Sequence, residues 1–414
     1  MTADVPILII GGGIGGLTAA LALARAGLTA HVVERSADFG EIGAGIQLAP
    51  NALRVLDELG VLPDLAALAV RPPHVVLMHA DTGRHLTTLD FGEPFRQRYG
   101  YPYIVMHRGD LLSVLHEACL ADDRVTLESG REVTGLADHG DSAAVRFADG
   151  GGYACGAVIG ADGLWSAARA LVSDDRPHTD AFVAYRGTLP FGDMGPPTER
   201  HVPAGPDDEI IWIGPGKHLV QYPIRRGELY NQVAVFRSAR YSPEDELADS
   251  WGTPGELDEA FACSCDQVRA AAAQVSRDRR WVMYDREPLD NWTAGRVTLL
   301  GDAAHPMVQY LAQGACQAIE DAGCLARQFA AADGDTDQAL AAYQAERIPR
   351  TAQVQRAARA WGQIWHDNGP VIPLLRDRIF ARRDADDYTD VDWLYLDPRG
   401  AHQGRGAHQR LEAS

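Results

Sequence analysis

The chain carries a single lysine, Lys217, among 414 residues, and no run of basic residues anywhere. Its 38 Lys and Arg are outnumbered by 57 Asp and Glu, for a formal net charge of −19. That balance argues against nucleic acid or an anionic membrane surface as a partner. No stretch approaches the roughly 18 apolar residues of a membrane-spanning helix. The N-terminal apolar run is broken by glycines and lacks a basic segment before it, so it reads as neither signal peptide nor anchor, and a cytoplasmic protein is expected. Cysteine is sparse: six residues, with no CxxC pair and histidine partner, exclude a disulfide framework and predict reduced thiols and no metal site. Internal repeats and low-complexity linkers are also missing.

What is present suits a folded protein of two or three domains, with 46% hydrophobic residues for a large core. The most informative segment runs from Val297 to Ala322, VTLLGDAAHPMVQYLAQGACQAIEDA. An apolar strand ends at Gly301-Asp302, and a loop then feeds a helix. An aspartate at a strand end can accept from the hydroxyls of a sugar-like chain, while the free N–H groups and dipole at a helix start favour a partly negative atom. Gly314 and Ala315 stand at that helix start. A reduced flavin has both needs, a ribityl chain and negative charge near N1 and O2.

Two more segments have the same logic. At the N-terminus the run ILII leads into Gly11, Gly13 and Gly16 at dinucleotide-fingerprint spacing, followed by a helical pattern. The next strand, Thr29 to Val33, ends in Glu34, about where an acid meets a ribose hydroxyl, with Arg35 beside it. Farther on, Ala157 to Arg169 is an apolar strand closing on Gly160-Ala161-Asp162-Gly163 before a helix start. Turn chemistry alone accounts for Asp162-Gly163; the spacing of Asp162, Gly163, Ser166 and Arg169 between the other two segments asks for more.

These three segments, in this order between residues 7 and 322, resemble the single-component (class A) flavoprotein aromatic hydroxylases. The resemblance spans nearly the whole chain. It implies an α/β fold with a Rossmann-like, glutathione-reductase-like FAD-binding domain, an inserted mixed-sheet substrate domain and a C-terminal helical region. The alternation of strand and helix patterns places the FAD-binding domain in residues 1–72, 105–178 and 282–345, and the substrate domain in 73–104 and 179–281. Residues 346–398 read as helical, and 399–414, rich in Gly, His and Gln, as a disordered tail. Non-covalent FAD, NADH or NADPH as a transient co-substrate, molecular oxygen and a small aromatic acid are the implied partners. Many relatives are dimers.

Within the family, EIGAGIQL from Glu41, YPY from Tyr101 and YRGT from Tyr185 are similar to hydroxylases of hydroxylated benzoates. HLVQYPIRRG from His218, NQVAVF from Asn231 and WVMYDREP from Trp281 are similar to the 3-hydroxybenzoate 6-hydroxylase branch. The family's pattern assigns FAD contacts to Glu34, Gln47, Arg108, Asp162 and Asp302, and substrate contacts to His218, Tyr222 and Gln309. It implies hydroxylation through a flavin C4a-hydroperoxide, giving a gentisate-like product. The wider family carries proline and glycine where this chain has Gln309 and Ala312, which sets a polar amide near the meeting point of flavin and substrate.

Strand alternation puts His218, Val220 and Tyr222 on one face. Electrophilic attack needs an electron-rich ring, and a neutral imidazole that removes the phenol proton makes it so. Other readings stay open: a salicylate-type hydroxylase of different regiochemistry, against which Gln309 weighs; a halogenase, whose pocket lysine and WxWxIP motif are missing; and a flavin-binding protein without turnover.

Overall fold

The computed structural model describes residues 5–40, 44–194 and 205–397; the tail expected to be disordered and part of the EIGAGIQL stretch lie outside them. Val5–Ile10 is a run of large aliphatic residues, which suits a strand covered on both faces. It lies at the centre of an eight-stranded sheet. Gly152–Gly160 and Val297–Leu299 run parallel to it on one side, and Ala30–Val33 and Val125–Glu128 on the other. Thr293–Ala294 closes one edge, and a hairpin, Val133–Asp138 with Ala143–Phe147, joins through Gly152–Gly160. The helix Ile14–Arg25 follows the first strand, is buried almost throughout, and packs against the helix Gly314–Ala331.

A second, seven-stranded sheet has the order Trp281–Val282, Phe182–Pro190, Leu229–Arg237, Lys217–Ile224, Glu209–Gly214, His74–His79, His85–Asp90. It is mixed, since Glu209–Gly214 runs parallel to His74–His79 while the other pairs are antiparallel. A two-stranded ribbon, Gly45–Leu48 with Ile104–His107, completes the β structure. The fold is thus the expected α/β combination of a Rossmann-like sheet with a mixed sheet. No described helix is long and apolar enough to cross a membrane.

One boundary is corrected. The division drawn between residues 345 and 346 falls inside a single helix, Thr336–His366, which runs on through Pro349. A proline removes one helical N–H and crowds the preceding turn. Side-chain bonds two residues earlier secure the segment. Arg347 Nε donates to Asp321 Oδ1 at 2.6 Å and Nη1 to Glu320 Oε2 at 2.6 Å, joining this helix to Gly314–Ala331. Asp321 also accepts from the Gly301 N–H at 3.0 Å and pairs with His305 Nε2 at 2.6 Å, so one carboxylate ties the Gly301–Ala303 turn to both helices.

Burial pushes the carboxyls of Glu320 and Asp321 up. Arg347 and Arg350 override it for Glu320, and His305 and Arg347 for Asp321, leaving both at about 2. A folded-state value below the unfolded value near 4 stabilises the fold above pH 4, and the contribution is lost as pH falls towards 2. Acid titration of unfolding should therefore show stability declining from about pH 5 downwards. Arg347→Met strands two buried carboxylates and is expected to destabilise by about 3–5 kcal/mol, read as a lower urea midpoint. An unchanged midpoint would mean that the network is not structural.

Candidate active site

A cavity of about 480 Å³ lies between the two sheets. Strand pleating builds one wall. The pairings Glu209↔Val75, Ile211↔Val220, Ile213↔His218, Val220↔Val233 and Tyr222↔Asn231 put Glu209, Ile211, His218, Val220, Tyr222 and Val233 on one face, and all six line the cavity. The opposite wall comes from the glycine turn, the ribbon, and the loop from Leu300 to Ala315.

Of the residues singled out in the sequence, Gly13, Gln47, Arg108, His218, Tyr222, Asp302, Gln309, Gly314 and Ala315 line this space. Gly163 and Ala312 line it as well, while Gly11, Gly16, Glu34, Arg35 and Asp162 do not. Gly11 and Gly16 shape the turn instead: a Cβ on Gly11, at φ +106°, would lie 2.4 Å from the Ala161 carbonyl oxygen, and one on Gly16 would lie 1.9 Å from that of Gly11. Glu34 accepts from the N–H groups of Gly12 at 2.8 Å and Ser36 at 2.9 Å, bracing the same turn, and Arg35 is exposed next to it. Asp162 accepts from the Ala167 N–H at 2.7 Å and so organises the turn after Gly160.

The residues present fit a flavin dinucleotide. Asp302 is exposed to the cavity at the strand end, and Gly314 and Ala315 open a long helix whose first N–H groups have no intrahelical acceptor. Gln313 is buried at the same helix start. Its Oε1 accepts from Asn51 and Gln317, while its Nε2 has no partner among the described residues, an unused donor where a ligand acceptor belongs. Asp162 Oδ1 is likewise buried and unpartnered among them.

On the substrate side the geometry is more specific. Arg186 Nη2 donates to Gln309 Oε1 at 3.2 Å, and Gln309 Nε2 lies 3.4 Å from His218 Nε2. His218 is fully buried, and its Nδ1 is 2.8 Å from Nε2 of His366, the last residue of Thr336–His366. Burial, then the neighbouring His366, holds His218 well below the usual histidine range; burial alone brings His366 down to about 3. Both rings are neutral near pH 7. Burial, then Glu209, pushes the Tyr222 hydroxyl far above the usual tyrosine value, so it remains a donor. Burial raises Glu209 to about 8 against the hydrogen bond from Gln47, so it too is protonated near pH 7. Gln47 Oε1 accepts from Tyr103 at 2.6 Å, and its contacts join the ribbon to the substrate wall.

Glu209 and His366 were missed in the sequence. Strand alternation could have found Glu209, since EIIWIG puts it on one face with Ile211 and Ile213. No local signal marks His366, which reaches His218 only through tertiary packing.

A Rossmann-like sheet with an aspartate and a helix start that fit a flavin, next to a cavity holding a neutral imidazole, points to a flavin-dependent oxidoreductase. The FAD binding domain family matches residues 4–358, and the chain belongs to that family, as an FAD-dependent aromatic hydroxylase of class A. It is 36% identical to the 3-hydroxybenzoate 6-hydroxylase of Klebsiella oxytoca, covering 94% of this chain and 96% of that one. It is 38% identical to the enzyme of the same name from Polaromonas naphthalenivorans (strain CJ2), over 95% and 96%. A 3-amino-4-hydroxybenzoate 2-monooxygenase of Streptomyces platensis is 39% identical over 94% and 95%. In fold the chain is similar to a single-substitution variant of Klebsiella pneumoniae HpxO complexed with FAD, at a TM-score of 0.82 and 24% identity over 96% of this chain and all of that one.

Asp302→Ala should weaken FAD binding by roughly ten- to a hundredfold, the loss of about 1.5–3 kcal/mol for hydrogen bonds to a charged group. Flavin fluorescence titration of the stripped protein measures it. Denaturation should release all the flavin, because the contacts that fit it among the described residues are hydrogen bonds and backbone N–H groups; yellow colour left on the precipitated chain would contradict this.

Proposed function

We propose that the enzyme hydroxylates a 3-hydroxybenzoate-like acid para to its hydroxyl group, giving a gentisate-like product with the carboxylate retained. The observation that carries this reading is the convergence of His218 Nε2 and the Gln309 amide inside the cavity. Bound FAD, reduced by NADH or NADPH and supplied with molecular oxygen, provides the electrophilic oxygen atom.

The chain's own residues prepare the ring. His218 Nε2 takes the phenol proton, which typically contributes ~100- to 10,000-fold. The Gln309 N–H donates to the developing phenolate, and Arg186 fixes the amide by bonding its oxygen. A deeply buried imidazole is a weak base in isolation, yet the imidazolium forms beside the phenolate, and charges that close in a low-dielectric site offset each other's desolvation. Tyr222 donates a hydrogen bond to the substrate, and the protonated Glu209 adds no negative charge to a cavity that takes an anion. Removing the 3-hydroxyl proton enriches the ortho and para carbons, and the reading has the cavity present the para carbon, C6, to the flavin.

A second reading rests on Glu209. A buried carboxyl group on the substrate wall suits a ring with an amino group, as in the substrate named for the Streptomyces platensis relative.

Turnover of 3-hydroxybenzoate, salicylate and 3-amino-4-hydroxybenzoate, with products identified by chromatography, mass and NMR, separates these readings. Gentisate from the first acid is expected, and salicylate should be a poor substrate because a displaced hydroxyl leaves buried polar groups unpaired, worth ~10,000-fold in some sites. Catechol from salicylate and no gentisate would overturn the main reading. His218→Gln should keep FAD and reduce it faster than it makes product, diverting oxygen to hydrogen peroxide. Normal coupling in that variant would remove His218 from the reaction.

A further inference from the structure

We propose that His366 is a positioning residue that fixes His218 in the tautomer with its proton on Nδ1, so that the Nε2 lone pair faces the cavity beside the Gln309 amide. The inference rests on the reading of His218 as the base. It follows from donor and acceptor chemistry read along a four-residue chain.

A guanidinium only donates, so the Gln309 atom 3.2 Å from Arg186 Nη2 is the amide oxygen. The amide nitrogen therefore faces His218 Nε2 at 3.4 Å, and that ring nitrogen holds a lone pair. A neutral imidazole has one N–H, which then sits on Nδ1 and donates to His366 Nε2 at 2.8 Å. His366 carries its own proton on Nδ1, which has no partner among the described residues. Each step leaves one arrangement, and all donors point the same way, from Arg186 to His366.

The rings are held as well as bonded. His366 stacks on Phe182 at 4.5 Å between centroids and 23° between planes, and lies 22° from the plane of His218. The His366 carbonyl accepts from the Gly216 N–H at 3.0 Å, two residues before His218, so main chain and side chain are registered together. Tyr310 lies 5.5 Å from His218 and 5.3 Å from His366 between centroids, and Trp365 lies 5.4 Å from His218.

A neutral acceptor has a chemical consequence that a carboxylate would not share. It orients the lone pair without placing a permanent negative charge beside the anionic substrate. The proton taken by His218 is then held mainly by the adjacent phenolate, and can return when the product regains its hydroxyl hydrogen.

The test uses the FAD-bound enzyme labelled with 15N-histidine, without substrate, and long-range NMR that reports which ring nitrogen bears hydrogen. The His218 signal, assigned by its loss in His218→Gln, should show the proton on Nδ1. In His366→Phe, which keeps the stacking but accepts no hydrogen bond, both tautomers should appear. Fixing a catalytic imidazole's tautomer is worth up to ~10,000-fold where a carboxylate does it, so the neutral partner should be worth at least about tenfold in kcat for product, with KM moving less than about threefold. His366→Asn, whose amide oxygen can accept from Nδ1–H, should recover most of the loss. A proton on Nε2 in the native enzyme, or full coupling in His366→Phe, overturns the proposal. If His218→Gln is impaired while His366→Phe is not, only the positioning role fails; if His218→Gln is fully coupled, the base reading itself fails. Should His366→Phe not fold with FAD, the native spectrum and His366→Asn still decide.

Discussion

The buried contact of Arg347 with Glu320 and Asp321 is the constraint on which the rest of the site depends. Asp321 accepts from the Gly301 N–H and from His305, so the turn that carries Asp302 is placed by a carboxylate on the following helix. Glu320 also accepts from Asn51 and Arg350, and Gln317 bonds both Arg347 and Gln313, the residue at the helix start. Ordering these charges in a dry interior is costly unless every partner is present. With all present, the start of the helix Gly314–Ala331 is tied to the turn at Gly301. Arg347 also anchors the long helix, whose far end, roughly 28 Å away at 1.5 Å per residue, carries His366 to His218. One network thus sets the geometry at both ends of the cavity.

The cavity's chemistry comes from exclusion of water more than from any cluster of charge. Burial keeps His218 neutral, Tyr222 protonated and Glu209 protonated, and in each case desolvation is the largest cause. The same low dielectric strengthens every hydrogen bond made to a phenolate. A wetter pocket would weaken both effects. Aliphatic neighbours on the wall, Ile211, Val220 and Val233, keep that side of the cavity apolar.

Where the cavity's geometry is set by short segments, the sequence was a sufficient guide. The glycine turn needs small residues because backbones come within contact distance, and that steric demand leaves a local mark. Alternation in HLVQYP placed His218 and Tyr222 on one face because a strand has a period of two. The division at residue 345 fell inside a helix because the Arg347 network that joins this helix to its neighbour links residues 26 and 27 positions apart, which no local pattern shows. His366 was invisible for the same reason: its partner lies 148 positions earlier. Glu34 and Asp162 illustrate a third case. Their motif positions were plain, yet both bond the main chain of the turns they terminate, so backbone organisation is part of why an acid stands there.

The departure at Gln309 and Ala312 shows how the loop trades comfort for position. Ala312 sits in the left-handed region at φ 53° and ψ 35°, which a residue with a Cβ adopts at a cost of roughly 1–2 kcal/mol. Its N–H closes the turn Gln309–Leu311 by donating to the Gln309 carbonyl at 2.9 Å. A proline at 309 would stiffen this turn but offer no donor to the cavity. With glutamine there, the turn is secured by that backbone bond and by Arg186 on the amide oxygen. The strained alanine and the polar side chain therefore belong to one device: the loop gives up intrinsic preference and in return sets the amide nitrogen 3.4 Å from His218 Nε2.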